Sequence, residues 1–193
     1  MSKNQQNKRD QFTKPTKSKL PLIALSLGVI LIAAFLFVKA GSKDKVEGVF
    51  FGEQVAAERS YVGEFISMTA IEPIIEADTV KLSFDEIDKK NIVFFEIENN
   101  ENQLVPLMAY ITPSGRLFVG SSFCEPCKGR TFSLAGETLV CDTCRTTYNV
   151  ETHEYISGSP VCGKYPPVNM NPEIVNGEVV IQLENILSWR SRV

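Results

Sequence analysis

Beyond residue 69 the chain alternates short apolar runs with polar or turn residues, which is the spacing of strands rather than long helices. Thr79–Ser83, Asn91–Glu98 (NIVFFEIE) and Leu104–Thr112 are each rich in Val, Ile, Phe or Tyr. Pro113-Ser114-Gly115 predicts a turn, and Arg116–Val119 leads on from it as a further extended run. Together these runs predict one antiparallel meander, with Phe94, Phe95 and the other strand aromatics in its core. Thr131–Leu134 and Glu137–Val140 flank Ala135-Gly136 and predict a second, shorter hairpin. Asn176-Gly177, between Ile174-Val175 and the run Glu178–Leu183, is the strongest two-residue hairpin signal in the chain. Glu184–Trp189 predicts a helical turn, with Trp189 as a packing or surface residue. Residues 39–69 are expected to form a linker, holding at most a short helix over Gln54–Tyr61 and a strand over Glu64–Met68.

One run breaks this pattern. LPLIALSLGVILIAAFLFV, Leu20–Val38, has no charge and is flanked by Lys19 and Lys39. At about 1.5 Å per residue it nearly matches a bilayer core of roughly 30 Å, so a single transmembrane helix is expected. Val38-Lys39-Ala40 also offers a cleavage site, but secretory apolar cores run only about 7–15 residues, which favours an uncleaved anchor. The polar tail 1–19 lacks an apolar face and is expected to be disordered. It holds Lys3, Lys8, Arg9, Lys14, Lys17 and Lys19, which predicts a cytoplasmic N-terminus and an extracytoplasmic C-terminal domain in the cell membrane. The 193 residues carry 20 basic and 23 acidic side chains; without the six basic and one acidic residues of positions 1–20, 14 remain against 22. The domain is therefore acidic, which argues against nucleic acid or anionic lipid as its partner. The bilayer itself is expected as a partner through residues 20–38.

Candidate chemistry lies in FCEPCKGRTFSLAGETLVCDTCRTTYNV, Phe123–Val150. Cys124 and Cys127 form one C-x-x-C pair, Cys141 and Cys144 the next thirteen residues later, and Cys162 follows eighteen residues further on. Each tight turn aims two thiols at one point, and the hairpin between the turns makes the pairs converge, as a tetrahedral four-thiolate site requires. Haem attachment needs His after the second cysteine, where Lys128 and Arg145 stand. A thioredoxin-type pair would open a helix in a βαβ setting, whereas both pairs here sit among strand signals. Structural disulfides suit an oxidising compartment, yet five cysteines leave one over and C-x-x-C closes a small ring. Ligation by Cys124, Cys127, Cys141 and Cys144 is favoured, with disulfides and thiol redox chemistry as the alternatives. Zinc, iron–sulfur, mononuclear iron and Cu(I) all suit four thiolates. Cys162 is read as an accessory to the site or as a neutral free thiol. His153, the only histidine, is read as a packing residue rather than a ligand. No catalytic set surrounds it and no glycine-rich phosphate cradle is present, so substrate turnover is not expected.

Leu104–Pro167, with its order of strand, turn, C-x-x-C, hairpin, C-x-x-C and Cys162, resembles the FtrD-like membrane iron–sulfur proteins. LVCDTCRTTYNVETHEYISGSP also resembles the second ligand loop and following hairpin of a Rieske module. Rieske proteins use one cysteine and one histidine per loop, and Cys127 and Cys144 occupy the histidine places, so a typical Rieske cluster is excluded. The resemblance implies an iron–sulfur or iron centre and a link to iron transport, by electron transfer beside a permease or another redox partner. The expected fold is mainly β: an antiparallel ectodomain, residues 70–193, with a Rieske-like or zinc-ribbon-like two-turn metal lobe. Lys8-Arg9 is not a twin-arginine signal, so export unfolded is expected, with the metal acquired afterwards. The expected function is a membrane-anchored redox or metal-handling accessory; the rival is a structural zinc-ribbon-type module that binds a partner at the membrane.

Overall fold

The computed structural model describes residues 51–193. The tail at 1–19, the apolar span at 20–38 and the start of the expected linker lie outside the described residues. Among the described residues no helix is long and apolar enough to cross a membrane.

The elements run β1 (Phe65–Ser67), β2 (Thr69–Ala70), β3 (Ile74–Glu76), β4 (Thr79–Ser83), α1 (Phe84–Lys90), β5 (Ile92–Glu98), β6 (Leu104–Ile111) and β7 (Leu117–Ser121). There follow β8 (Phe132–Ala135), β9 (Thr138–Cys141), β10 (Thr147–Asn149), β11 (Tyr155–Ser157), α2 (Pro160–Gly163), β12 (Glu173–Val175), β13 (Glu178–Gln182) and α3 (Leu183–Leu187). Three sheets result, ordered β2-β5-β6-β7, β12-β13-β4-β3 and β1-β8-β9-β10-β11. The mainly antiparallel β character is as expected; among the described residues only β2 and β5 pair in parallel.

The sheet of β5, β6 and β7 has a core on each face. Val93, Phe95, Ile97, Val105, Leu107, Ala109, Ile111, Leu117 and Val119 face Val80, Leu82, Val179 and Ile181 of the β4–β13 sheet, together with Ile87 of α1 and Ile186 of α3. Ile92, Met108, Tyr110 and Phe118 face the other way, onto Phe132, Leu134, Leu139, Tyr148 and three of the cysteines, Cys124, Cys141 and Cys162. Burial on both sides explains why NIVFFEIE and LVPLMAYIT read as nearly continuous apolar runs. The expected single meander is therefore corrected. β4 does not join β5 but pairs with β13 and β3, because the chain between β4 and β5 is a helix that carries it from one sheet to the other.

That helix, α1, has local causes. Ser83 caps it by accepting the Glu86 N–H at 3.3 Å, so Ser-Phe-Asp-Glu forms the start of a capping box. Asp85–Lys89 and Glu86–Lys90 pair at 2.5 Å one turn apart, and Asn91 ends the helix at φ 65°. The predicted turn at Asn176-Gly177 has φ 53° and 82°, both positive as a type I′ hairpin needs.

Residues 51–69, expected as part of a linker, instead belong to the packed domain, and the helix expected over Gln54–Tyr61 is not formed. Phe51 and Tyr61 are buried, and the Tyr61 hydroxyl donates to the Ile111 carbonyl at 2.7 Å. The N–H groups of Val55 and Ala56 both donate to the Gly115 carbonyl, at 2.8 and 3.0 Å. These two donors, and the Arg59 N–H that donates to the Pro113 carbonyl at 2.9 Å, bind another segment instead of closing helical turns, and isolated aromatics anchor the chain without any periodic pattern. β1 then adds to β8, with Ile66 opposite Leu134.

His153 lies where it was expected, in packing. Its ring is 4.5 Å from that of Phe118 and 4.8 Å from that of Phe51. Nε2 is 2.6 Å from the Tyr110 hydroxyl, which also lies 3.0 Å from the Val150 carbonyl, and Nδ1 is 3.4 Å from the Pro167 carbonyl; with its proton on Nδ1 the ring donates to Pro167 and accepts from Tyr110. Burial pushes the imidazole pKa down to about 3. The unfolded chain takes up that proton near the ordinary value of about 6.5, so between these limits the unfolded state binds a proton that the folded state refuses. Stability should thus fall as pH falls from about 6.5 towards 3, by about 1.4 kcal/mol per unit from this group alone. Urea unfolding at pH 7, 6 and 5 should show that slope, and His153→Gln should flatten it although the variant is less stable at pH 7. An identical slope in the variant would remove His153 as its source.

Candidate metal centre

The two C-x-x-C stretches fold into the same turn twice. The Cys124 N–H donates to the Gly129 carbonyl at 2.8 Å, and the Cys141 N–H to the Thr146 carbonyl at 2.9 Å, each five residues on. Lys128 and Arg145, which follow the second cysteine of each pair, sit at φ 58° and 61°. A non-glycine residue held there costs roughly 1–2 kcal/mol, so the surroundings must impose the turn. Hairpin β8–β9 supplies them: its register runs from Ala135↔Thr138 to Phe132↔Cys141 and returns the second pair to the level of the first.

The four sulfurs converge. All of the Sγ atoms of Cys124, Cys127, Cys141 and Cys144 lie within 4.8 Å of one another. The close contacts cross between the turns, with Cys124–Cys144 and Cys127–Cys141 both at 3.8 Å. All five cysteines are free thiols, and those separations are nearly twice a disulfide bond of about 2.05 Å. Cys124 and Cys141 are buried, while Cys127 and Cys144 are partly exposed. The Gly129 N–H donates to Cys127 Sγ at 3.4 Å. Thr146 Oγ1 is 3.1 Å from Cys144 Sγ and accepts from the Ser159 N–H at 3.2 Å, which leaves its proton free for a thiolate. A hydrogen bond from Cys124 is the main cause that lowers the Cys141 thiol to about 5, against burial and with help from the N–H groups of Cys144 and Thr143. Burial pushes Cys127 up to about 12. Cys124 is raised as well, chiefly by its hydrogen bond to Cys141 and then by burial.

Other groups complete the surroundings. Cys162 is buried on α2, outside the mutually close quartet and in the same core cluster as Cys124 and Cys141. Its carbonyl accepts from the Tyr148 hydroxyl at 2.7 Å. Sequence reasoning missed Glu125, inside the first turn, which is 3% exposed and accepts from Arg192 Nε at 2.6 Å and from the Arg192 backbone N–H. It also missed Gly129, whose missing Cβ would stand 2.8 Å from Thr143 Oγ1 and 3.0 Å from Cys141 Sγ. The repeat of C-[DE]-x-C-[KR]-[GT] was the only signal for these, and it does not say which neighbour approaches.

The fold and the site define a mainly β protein with a four-cysteine group able to hold a metal ion. The family model described as "Membrane iron-sulfur containing protein FtrD-like" matches residues 87–193, more than half of the chain. The chain belongs to that family, as its cysteine layout led one to expect. No curated protein and no solved structure matches it. The family description names membrane association and iron–sulfur; the anchor expected at 20–38 falls outside the described residues. The sulfur spacing fits one tetrahedral ion better than the cluster in that description. Sulfurs about 3.8 Å apart put a central atom about 2.3 Å from each, which is a metal–thiolate bond length.

Gly129→Ala should push the two turns apart at the Thr143 side chain, an overpacking cost of about 1–3 kcal/mol. We expect at least a tenfold faster loss of bound metal to a chelator, with partial recovery in Gly129→Ala/Thr143→Ala. Unchanged metal retention in the single variant would mean that the close approach of the turns does not matter to the site.

Proposed function

We propose that the chain is a membrane-anchored redox or metal-handling accessory in iron transport, which passes an electron or an ion to a permease or redox partner and turns over no substrate. The observation that carries this reading is the placement of the four sulfurs: all mutually close, two buried and two partly exposed. Buried ligands hold a metal, and exposed ones bring it within reach of a partner. Cys124, Cys127, Cys141 and Cys144 are the proposed ligands, with Cys162 as a neighbouring thiol. Membership of a family described as membrane iron–sulfur proteins supports iron as the metal; the transport link comes from kinship. Four thiolates bind soft and borderline metals and disfavour hard cations.

One observation favours the rival reading, a structural zinc module that binds a partner at the membrane. Cys124 and Cys141 belong to the core cluster of Phe132, Leu139 and Tyr148, so a metal there would staple the lobe whatever else it did. The two readings separate on the full chain purified from membranes. Under the redox reading the protein contains iron and is coloured, the colour bleaches on reduction and returns on reoxidation, and iron is retained throughout. Colourless protein with stoichiometric zinc would overturn the redox reading in favour of the structural one. Ionisation of all four thiols on binding also makes apparent affinity rise with pH, which proton release on metal titration would measure.

A further inference from the structure

We infer that the four cysteines hold a single thiophilic ion, zinc or mononuclear iron, and not an iron–sulfur cluster. The inference rests on the metal-binding part of the function proposed above and is independent of its transport part.

The first ground is size. The sulfurs lie within 4.8 Å of one another, and two pairs that each join one turn to the other, Cys124–Cys144 and Cys127–Cys141, are 3.8 Å apart. A regular tetrahedron with 3.8 Å edges has its centre about 2.3 Å from each corner, the bond length of a four-thiolate ion. Even with every edge at 4.8 Å the centre would be only about 2.9 Å from the corners, which leaves room for one atom. A cluster spreads the thiolates over two or four irons. Thiolates on different irons are then parted by the width of the cluster as well as by two metal–sulfur bonds, which places them more than about 5 Å apart. Here no pair of the four is that far apart.

The second ground is that the turns are not free to open. Cys141 ends β9 opposite Phe132 in the ladder, and its neighbour Asp142 donates its N–H to the Thr131 carbonyl at 3.1 Å and accepts from Ser133 Oγ at 2.7 Å. The first turn closes on itself through Cys124 and Gly129, and Gly129 packs directly against Cys141 Sγ and Thr143. Glu125, between Cys124 and Cys127, is tied to Arg192. Parting the turns to admit bridging sulfides would strip several of these bonds from buried groups, at about 1 kcal/mol or more each. A single ion needs no such movement.

The test uses the full chain, purified from membranes without exposure to air. Metal and acid-labile sulfide per chain are measured together with X-ray absorption at the metal edge. We expect one metal per chain, no labile sulfide, and a four-sulfur shell near 2.3 Å with no metal–metal shell. After removal of the metal, titration with Co(II) should give thiolate charge-transfer bands that saturate at one equivalent. Two or more irons with matching sulfide, a metal–metal shell, or saturation beyond one equivalent would each overturn the inference. Cys162→Ser should still bind one ion, and loss of the site in that variant would overturn the assigned ligand set. Cys124→Ser should lose tetrahedral binding; if it fails to accumulate, the wild-type spectra decide. One zinc per chain would leave the single-ion inference standing and sink the redox reading. A reducible cluster would do the reverse.

Discussion

Seven registered pairs between β5 and β6, from Ile92↔Tyr110 to Glu98↔Leu104, hold the rest of the domain in place. Because side chains alternate between faces, a slip of one residue would exchange every group facing one core with those facing the other. Val93 and Phe95 would leave the β4–β13 core, and Tyr110 would leave His153. A sheet with one wet face can tolerate such a slip in part; a sheet buried on both faces has nowhere to put the error. The turn at Asn99, whose side chain accepts from the N–H groups of Glu101 and Gln103, fixes the register at its open end.

The cysteine lobe is built on one of those faces rather than beside it. Cys124 and Cys141 pack in the same cluster as Met108, Tyr110 and Phe118 of the central sheet. Two ligands are thus core residues as well as donors, so the position of the proposed ion is set by the hydrophobic effect as much as by coordination. The other two sulfurs, with Lys128 and Arg145 exposed beside them, form the solvent side. This division into a fixed half and an accessible half follows from placing one edge of each turn against a core.

Much of this could be read from the chain because it is written locally. Asn176-Gly177 states its own turn type, and the paired C-x-x-C spacing states that four sulfurs meet. The start of α1 is legible too: Ser83-Phe84-Asp85-Glu86 is a capping signal, although the stretch it opens is short and charged. What could not be read is non-local. Nothing in TVKLS says that β4 pairs with a strand about a hundred residues later rather than with β5, the next strand in sequence. Phe51 and Tyr61 become anchors only through Phe118 and Ile111, and Gly129 matters only because Thr143 of the other turn comes to it. Periodicity describes a segment's faces but not the surface that covers them.

The bond between Glu125 and Arg192 makes the last residues of the domain a lever on the first ligand turn. Arg192 also donates to the Pro166 carbonyl at 2.8 Å and lies over the Tyr165 ring, so three segments meet at one guanidinium. A segment joined directly behind Val193 lies one residue from the group that holds Glu125, one of the two residues between Cys124 and Cys127. Placement of a tag is therefore an experimental variable in its own right: metal content measured on a C-terminally tagged chain reports the state of the Arg192 contacts as well as the site's affinity.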